Sequence, residues 1–224
     1  MPRSVVTNYA VEGTPVIDTP ARFITLEGIE GVGKTTAVSH VVSQLRGCGR
    51  EVVATREPGG TGLGERIRSL LLDPAVTDMQ PVTELLLMFA ARAQHLGEVI
   101  EPALARGQWV VCDRFTDATY AYQGGGRGLD ATLIRQAEAM VHPSRQPDLT
   151  LLLDAPTTIA LGRAQARGAA DRFERERVDF FERVRDSYLE RAQRYPQRFA
   201  VIDASRALDE VRAALEVTLR ERFG

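Results

Sequence analysis

Gly28-Ile-Glu-Gly-Val-Gly33-Lys34-Thr35 constrains this chain more than any other stretch. It fits the pattern GxxxxGK[ST] and stands between a β-rich run and a helical one. Glycines let successive backbone N–H groups turn toward phosphate oxygens, and the following helix adds the positive end of its dipole. Lys34 would place a point charge on the β- and γ-phosphates, and the Thr35 hydroxyl would ligate Mg2+. The competing reading is a glycine turn that merely caps a helix. It is weakened by composition, because Lys34 is the only lysine among 28 basic residues and lies in this loop. Gly28, Ile29, Glu30, Gly31, Val32, Gly33, Lys34, Thr35 and Thr36 are therefore expected to hold a nucleoside triphosphate.

Around the loop, apolar β-rich runs alternate with segments of helical period. The strands fall at residues 22–27, 51–55, 108–113, 149–154 and 200–203. Helices are expected at 36–47, 63–72, 83–106 (one long helix or two in tandem), 116–123, 130–141, 157–167, 174–195 and 207–221, with Gly124–Gly126 as a separator. Nearly all-apolar strands alternating with helices imply a parallel sheet covered on both faces, an α/β fold. Residues 1–21 hold three prolines and no sustained period, which reads as a flexible arm before a single domain at 22–224.

The 224 residues suffice for a core without staples, burying roughly 70% of the unfolded surface. A net charge of -2 gives no electrostatic case for a nucleic-acid partner. The longest apolar run, Leu85 to Ala91, is far short of the ~20 residues that cross a bilayer. Cys48 and Cys112 are expected in apolar surroundings and have no CxxC spacing, so a reducing cytoplasm is the expected compartment.

A lone lysine also sorts the uses of a phosphate loop. A GTPase guanine reader of NKxD type needs a second lysine, and a partitioning ATPase needs one where Ile29 stands. An energy-transducing ATPase ends its second strand in Asp-Glu, whereas this chain has Asp113-Arg114. A small-molecule kinase remains. At a strand's C-terminal end, Asp113 would orient Mg2+ and Arg114 would clamp an acceptor phosphate. Phe89 and Arg92, three apart on one helix face, could stack on a base and donate to it; Thr119 and Tyr122 share that spacing, with Gln123 beside them. From Ala164 to Arg177 the chain is rich in mixed charge. Most of that is a solvated face, but an arginine there could serve a mobile lid.

The chain resembles the thymidylate kinase family of bacteria from Phe23 to about Arg212. The motifs run in order: the phosphate loop, Thr55-Arg-Glu-Pro-Gly-Gly-Thr61, Phe89-Ala-Ala-Arg92, Cys112-Asp-Arg-Phe115, Tyr120-Ala-Tyr-Gln-Gly-Gly-Gly-Arg127, Pro147-Asp-Leu-Thr-Leu-Leu-Leu-Asp154 and Asp171-Arg-Phe-Glu174. The resemblance implies a P-loop nucleoside monophosphate kinase fold, with a five-stranded parallel sheet and a short lid at about 163–177. It implies transfer of the ATP γ-phosphoryl to dTMP with Mg2+, in a cytoplasmic homodimer. Another nucleoside monophosphate kinase, or a nucleotide-binding switch, is the alternative.

Residue roles follow from the same resemblance. Phe89 would stack on thymine and Arg92 donate to its O4, with Thr119 and Gln123 near the base. Tyr122 would pack under the sugar and Glu30 beside its 3′-OH. Arg114, with Arg56 and Arg68, would hold the 5′-phosphate. Gly31 occupies the place where some members carry a loop arginine, so a lid arginine is expected instead: Arg167, Arg172 or Arg163. Asp203-Ala-Ser-Arg206 resembles the segment that flanks adenine.

Overall fold

The computed structural model describes residues 20–166, 171–174 and 176–224. Five strands, β1 (Phe23–Glu27), β2 (Val52–Arg56), β3 (Trp109–Asp113), β4 (Leu149–Asp154) and β5 (Phe199–Asp203), form one parallel sheet in the order β2-β3-β1-β4-β5. Sequence pattern and position agree strand by strand. β1 is buried along its whole length and lies in the middle, where both faces meet helices. β2 and β5 are only partly buried and take the two edges. Between β1 and β4, Thr25 and Thr150 share a buried hydroxyl hydrogen bond of 3.1 Å, which satisfies two polar groups in an apolar layer.

Helices α1 (Lys34–Gly47), α2 (Gly62–Leu72), α3 (Pro81–His95), α4 (Glu101–Ala105), α5 (Thr116–Thr119), α6 (Ala131–Val141), α7 (Thr157–Gln165), α8 (Val178–Arg194) and α9 (Leu208–Phe223) cover the sheet. Over 83–106, expected as one long helix or two in tandem, two α-helices run on as a single path: α3 passes through a π-helical turn, Leu96–Ile100, into α4. Pro102 lacks the N–H that an α-helical turn would use at that point.

Three expectations change. Gly124–Gly126 do not separate helices; they lie in a π-helical turn, Tyr120–Gly126, that continues α5. A Cβ on Gly126 would come 2.5 Å from the Phe180 ring, and one on Gly125 would come 2.7 Å from Ser187 Cβ, so α8 packs directly on this backbone. The helix expected from 174 starts at Val178. Ahead of it Asp171 Oδ1 accepts from the backbone N–H groups of Phe173 and Glu174 and shapes a turn. Of the two cysteines, both free thiols, Cys112 is buried in β3 as expected, but Cys48 is exposed at the end of α1. The arm expected at 1–21 lies, through residue 19, outside the described residues.

From β1 the chain goes to β2 and β3 on one flank, and the connection after β3 then crosses to β4 and β5 on the other, so the strand order switches at β1. In open parallel sheets a crevice forms there, beyond the carboxyl ends of the strands. Gly28, Arg114 and Ala155, which follow β1, β3 and β4, surround that point.

Candidate active site

The phosphate loop follows β1 and delivers the chain into α1 at Lys34. Gly31 has φ +81°, and a Cβ there would lie 1.8 Å from the carbonyl oxygen of Ala160 in α7. The position is closed to any side chain by handedness and by space. With the loop this close to α7, an arginine at this place would require the two to stand further apart. Lys34 is nearly buried, and its Nζ donates to the carbonyls of Gly28 (3.0 Å) and Ile29 (2.9 Å). Burial, and next the charge of Arg114, lower its pKa to about 8. Thr35 and Thr36 are exposed at the mouth of the helix.

Arg114 stands at the other side of the crevice with φ 72°, the one non-glycine residue in the left-handed region among those described. Its N–H still donates to Leu26 O (3.0 Å) in the ladder with β1, and the left-handed φ turns the chain away at the end of β3. The guanidinium is then fixed on three sides. Nη2 donates to Glu30 Oε1 (2.9 Å) and to the Tyr122 hydroxyl (3.0 Å), and Nη1 donates to the Tyr188 hydroxyl (3.1 Å). Tyr122 donates in turn to Glu30 Oε2 (2.6 Å), and Tyr188 to Glu27 Oε2 (2.8 Å). Burial, with the Asp117 charge adding, pushes the Glu27 carboxyl up to about 8.

Between the loop and Arg114 opens a cleft of about 190 Å³. Lys34, Thr35, Asp113 and Arg114 stand at one end and Arg92, Thr119 and Gln123 at the other, with Glu30 and Tyr122 between. Two atoms there are buried without a hydrogen-bond partner among the described residues, Asp113 Oδ1 and Thr119 Oγ1; Arg92 Nη1 is a third. Three unspent polar atoms, two donors or hydroxyls at the inner end and an acceptor at the loop end, describe a site built for a polar ligand.

Sequence reasoning misplaced one aromatic residue. Phe89 does not line the cleft; it is 2% exposed, among Leu85, Ile134 and Ala137. Its neighbour Met88 lines the wall instead. Phe89 and Arg92 do share a helix face, with the guanidinium 4.8 Å from the ring centroid, so the ring backs the arginine.

Arg68 reaches the cleft and donates to Pro58 O (2.8 Å). Arg56 does not: it is tied to both oxygens of Glu65 at 2.9 Å on the rim. Arg172 also departs from expectation. Its guanidinium is held by Glu84 Oε2 (2.6 Å) and Leu71 O (2.7 Å), away from the phosphate loop, because Glu84 is a buried carboxylate within reach. Arg163 donates to Ala204 O (2.7 Å) and lines a second groove of about 210 Å³ with Gly33, Thr36 and Arg206, on the far side of the loop. Arg167 lies outside the described residues.

Two buried acids had no assigned role. Glu57 Oε2 accepts from Arg92 Nε (2.7 Å) and its Oε1 pairs with His95 Nδ1 (2.9 Å), while His95 Nε2 meets Thr55 Oγ1 at 2.6 Å. Burial alone would raise the Glu57 carboxyl; Arg92 and His95 outweigh it and hold it below the usual carboxylate range. Glu84 accepts from Gln123 Nε2 (2.7 Å). Glu57 stands inside a motif already singled out, Arg56-Glu57-Pro58, but nothing local in sequence announces Glu84.

A sheet of this order, with a phosphate loop on its central strand and an arginine-walled second pocket across the crevice, defines the P-loop nucleoside monophosphate kinases. Comparison with known proteins narrows the class. Residues 26–215 match the family model described as thymidylate kinase. The chain is 63% identical over 207 residues to a thymidylate kinase of Chromohalobacter salexigens, covering 92% of this chain and 98% of that protein. It is 57% identical over 197 residues to one of Pseudomonas putida, covering 88% and 94%. A crystal structure of thymidylate kinase from Ehrlichia chaffeensis superposes with a TM-score of 0.71 at 33% identity, covering 91% of this chain and 99% of that one. The chain belongs to the thymidylate kinase family.

Proposed function

We propose that this enzyme transfers the γ-phosphoryl group of ATP to dTMP, giving dTDP and ADP, in the cleft between the phosphate loop and Arg92. The observation that carries this reading is the lining of one cleft: phosphate-loop residues with Lys34, Arg68 and Arg114, together with Met88, Arg92, Thr119 and Gln123, and three buried polar atoms left without partners.

Both substrates are anions, so the chief task is holding phosphates in line with their charge neutralised. Lys34 and the loop N–H groups hold the donor phosphates. Arg114, fixed on Glu30, Tyr122 and Tyr188, has no freedom to follow a misplaced ligand, and with Arg68 it sets the acceptor phosphate. Catalysis then rests on position and electrostatics, without a covalent intermediate. Tyr122, buried under the cleft floor, fills the space a ribose 2′-OH would need. Arg92 donates to thymine O4, Gln123 and Thr119 face the base edge, and Met88 covers its face. Arg163 and Arg206 flank the groove that takes adenine.

The donor set suits Mg2+. Thr35 offers a hydroxyl and Asp113 a buried oxygen without a partner, and among the described residues no cluster of three acids, histidines or cysteines forms a dedicated cage. Such an ion keeps several waters and takes phosphate oxygens as its other ligands. Bound there, it would neutralise charge between the β- and γ-phosphates. In this reading the lid spans about 163–177, Arg172 ties it to Glu84, and Arg167 is the candidate for the arginine that acts on the migrating group.

We further propose a cytoplasmic homodimer. The adjacent helices α2, α3 and α6 expose Leu70, Val82, Leu86 and Met140, a supply of apolar surface that a second copy would cover. No helix among the described residues is long and apolar enough to cross a membrane.

Mg·ATP consumption with dTMP, dUMP, dGMP, dCMP, UMP or no acceptor tests the reading. Strong preference for dTMP supports it. ADP release that no acceptor stimulates would overturn it.

A further inference from the structure

Glu84, on α3, is fully buried and takes three donors. Gln123 Nε2 donates to Oε1 (2.7 Å), Arg127 Nε donates more weakly to the same oxygen (3.3 Å), and Arg172 Nη2 donates to Oε2 (2.6 Å). Arg127 is itself paired with Glu176, and Arg172 with Leu71 O. A carboxylate in this position has only acceptors to offer. The amide of Gln123 must therefore turn its NH2 to Glu84 and leave its oxygen for the cleft, which Gln123 lines.

That orientation has a chemical meaning at the base. Thymine and uracil carry a donor at N3–H and an acceptor at O4; cytosine carries an acceptor at N3 and a donor at N4. A fixed amide oxygen accepts from N3–H and repels the cytosine ring nitrogen. We propose that Glu84 is a positioning residue that sets the preference for thymine over cytosine by locking the Gln123 amide. The inference rests on the reading above that Gln123 faces the base edge.

Glu84→Gln removes the lock. Residue 84 then gives its one amide oxygen to the arginines and its NH2 to Gln123, which rotates and presents NH2 to the cleft. The ratio of kcat/KM for dTMP over dCMP should fall by roughly tenfold or more, chiefly through a higher KM for dTMP, with the KM for ATP unchanged. The ratio of dTMP over dUMP should stay, since both bases offer N3–H and O4; general damage to the pocket has no reason to spare it. Gln123→Ala should lower the dTMP/dCMP ratio by itself, and adding Glu84→Gln to it should lower the ratio no further. Should Gln123→Ala leave the ratio intact, the base-reading role falls and this inference with it. Should Gln123→Ala lower the ratio while Glu84→Gln preserves it, the inference alone is overturned. Should Glu84→Gln fail to fold, the wild-type complex with dTMP decides: a scalar coupling across the hydrogen bond from thymine N3–H to the Gln123 side-chain carbonyl carbon would uphold the inference, and one from a Gln123 Nε2 proton to the base would overturn it.

Discussion

Glu57 Oε2 lies 2.7 Å from Arg92 Nε, and neither side chain is more than 4% exposed. The pair is closed to water, and His95 occupies the second carboxylate oxygen. Arg92 thus has its Nε taken by Glu57, while its Nη1 is buried without a hydrogen-bond partner and left for a ligand of the cleft. Glu57→Ala would leave an uncompensated buried cation, a change that costs about 3–5 kcal/mol where it has been measured. Expected are a lower melting temperature and a raised KM for dTMP; an unchanged KM would separate Arg92 from base binding.

Met88 and Phe89 divide two tasks between neighbouring positions. Phe89→Ala should destabilise the fold by roughly 3–5 kcal/mol through the cavity it leaves in the α3–α6 core. Met88→Ala, at a half-buried wall position, should cost little stability and raise the KM for dTMP several-fold. Chemical denaturation and steady-state kinetics on the two variants distinguish them, and the opposite assignment of effects would restore Phe89 as the base-stacking ring.

Lys34→Met keeps the buried stem and removes the charge. By the measured worth of one preorganised donor, kcat should fall by about 10²–10³ with the melting temperature nearly kept. Near-normal turnover would remove Lys34 from the machinery.

Glu27 gives a pH dependence whose sign is fixed. Its folded pKa of about 8 lies above the ordinary value of 4.5, so between these two pH values the folded chain binds the extra proton. Its contribution to stability is whole below pH 4.5 and is lost as pH rises toward 8. Urea midpoints of wild type and Glu27→Gln should diverge across that window, with the wild type losing ground as pH rises. Parallel curves would contradict the shift.

How much of this was legible beforehand varies with the distance over which a residue acts. The phosphate loop was readable because its glycines and lysine act through local backbone geometry, and the buried strands because their apolar runs stand alone. Phe89 failed because helical spacing fixes which residues share a face but not which face meets the cleft; one position decides between Met88 and core. Arg172 failed because charge patterning does not show a buried partner 88 residues away. Glu84 was invisible for the same reason, and Gly124–Gly126 misled because glycine marks close approach of another helix as readily as a break.

One consequence of the Lys34 cradle lies outside catalysis. The chain has a single ε-amine, and burial brings it to half-deprotonation near pH 8, so at neutral pH it holds far more free amine than a solvated lysine does. Apart from the α-amine, an acylating reagent has one place to react. The mass of a labelled chain should thus report directly whether the phosphate site was empty, and ATP or ADP should protect it. An unlabelled chain without nucleotide would mean that the two loop carbonyls shield Nζ from reagents as well as from water.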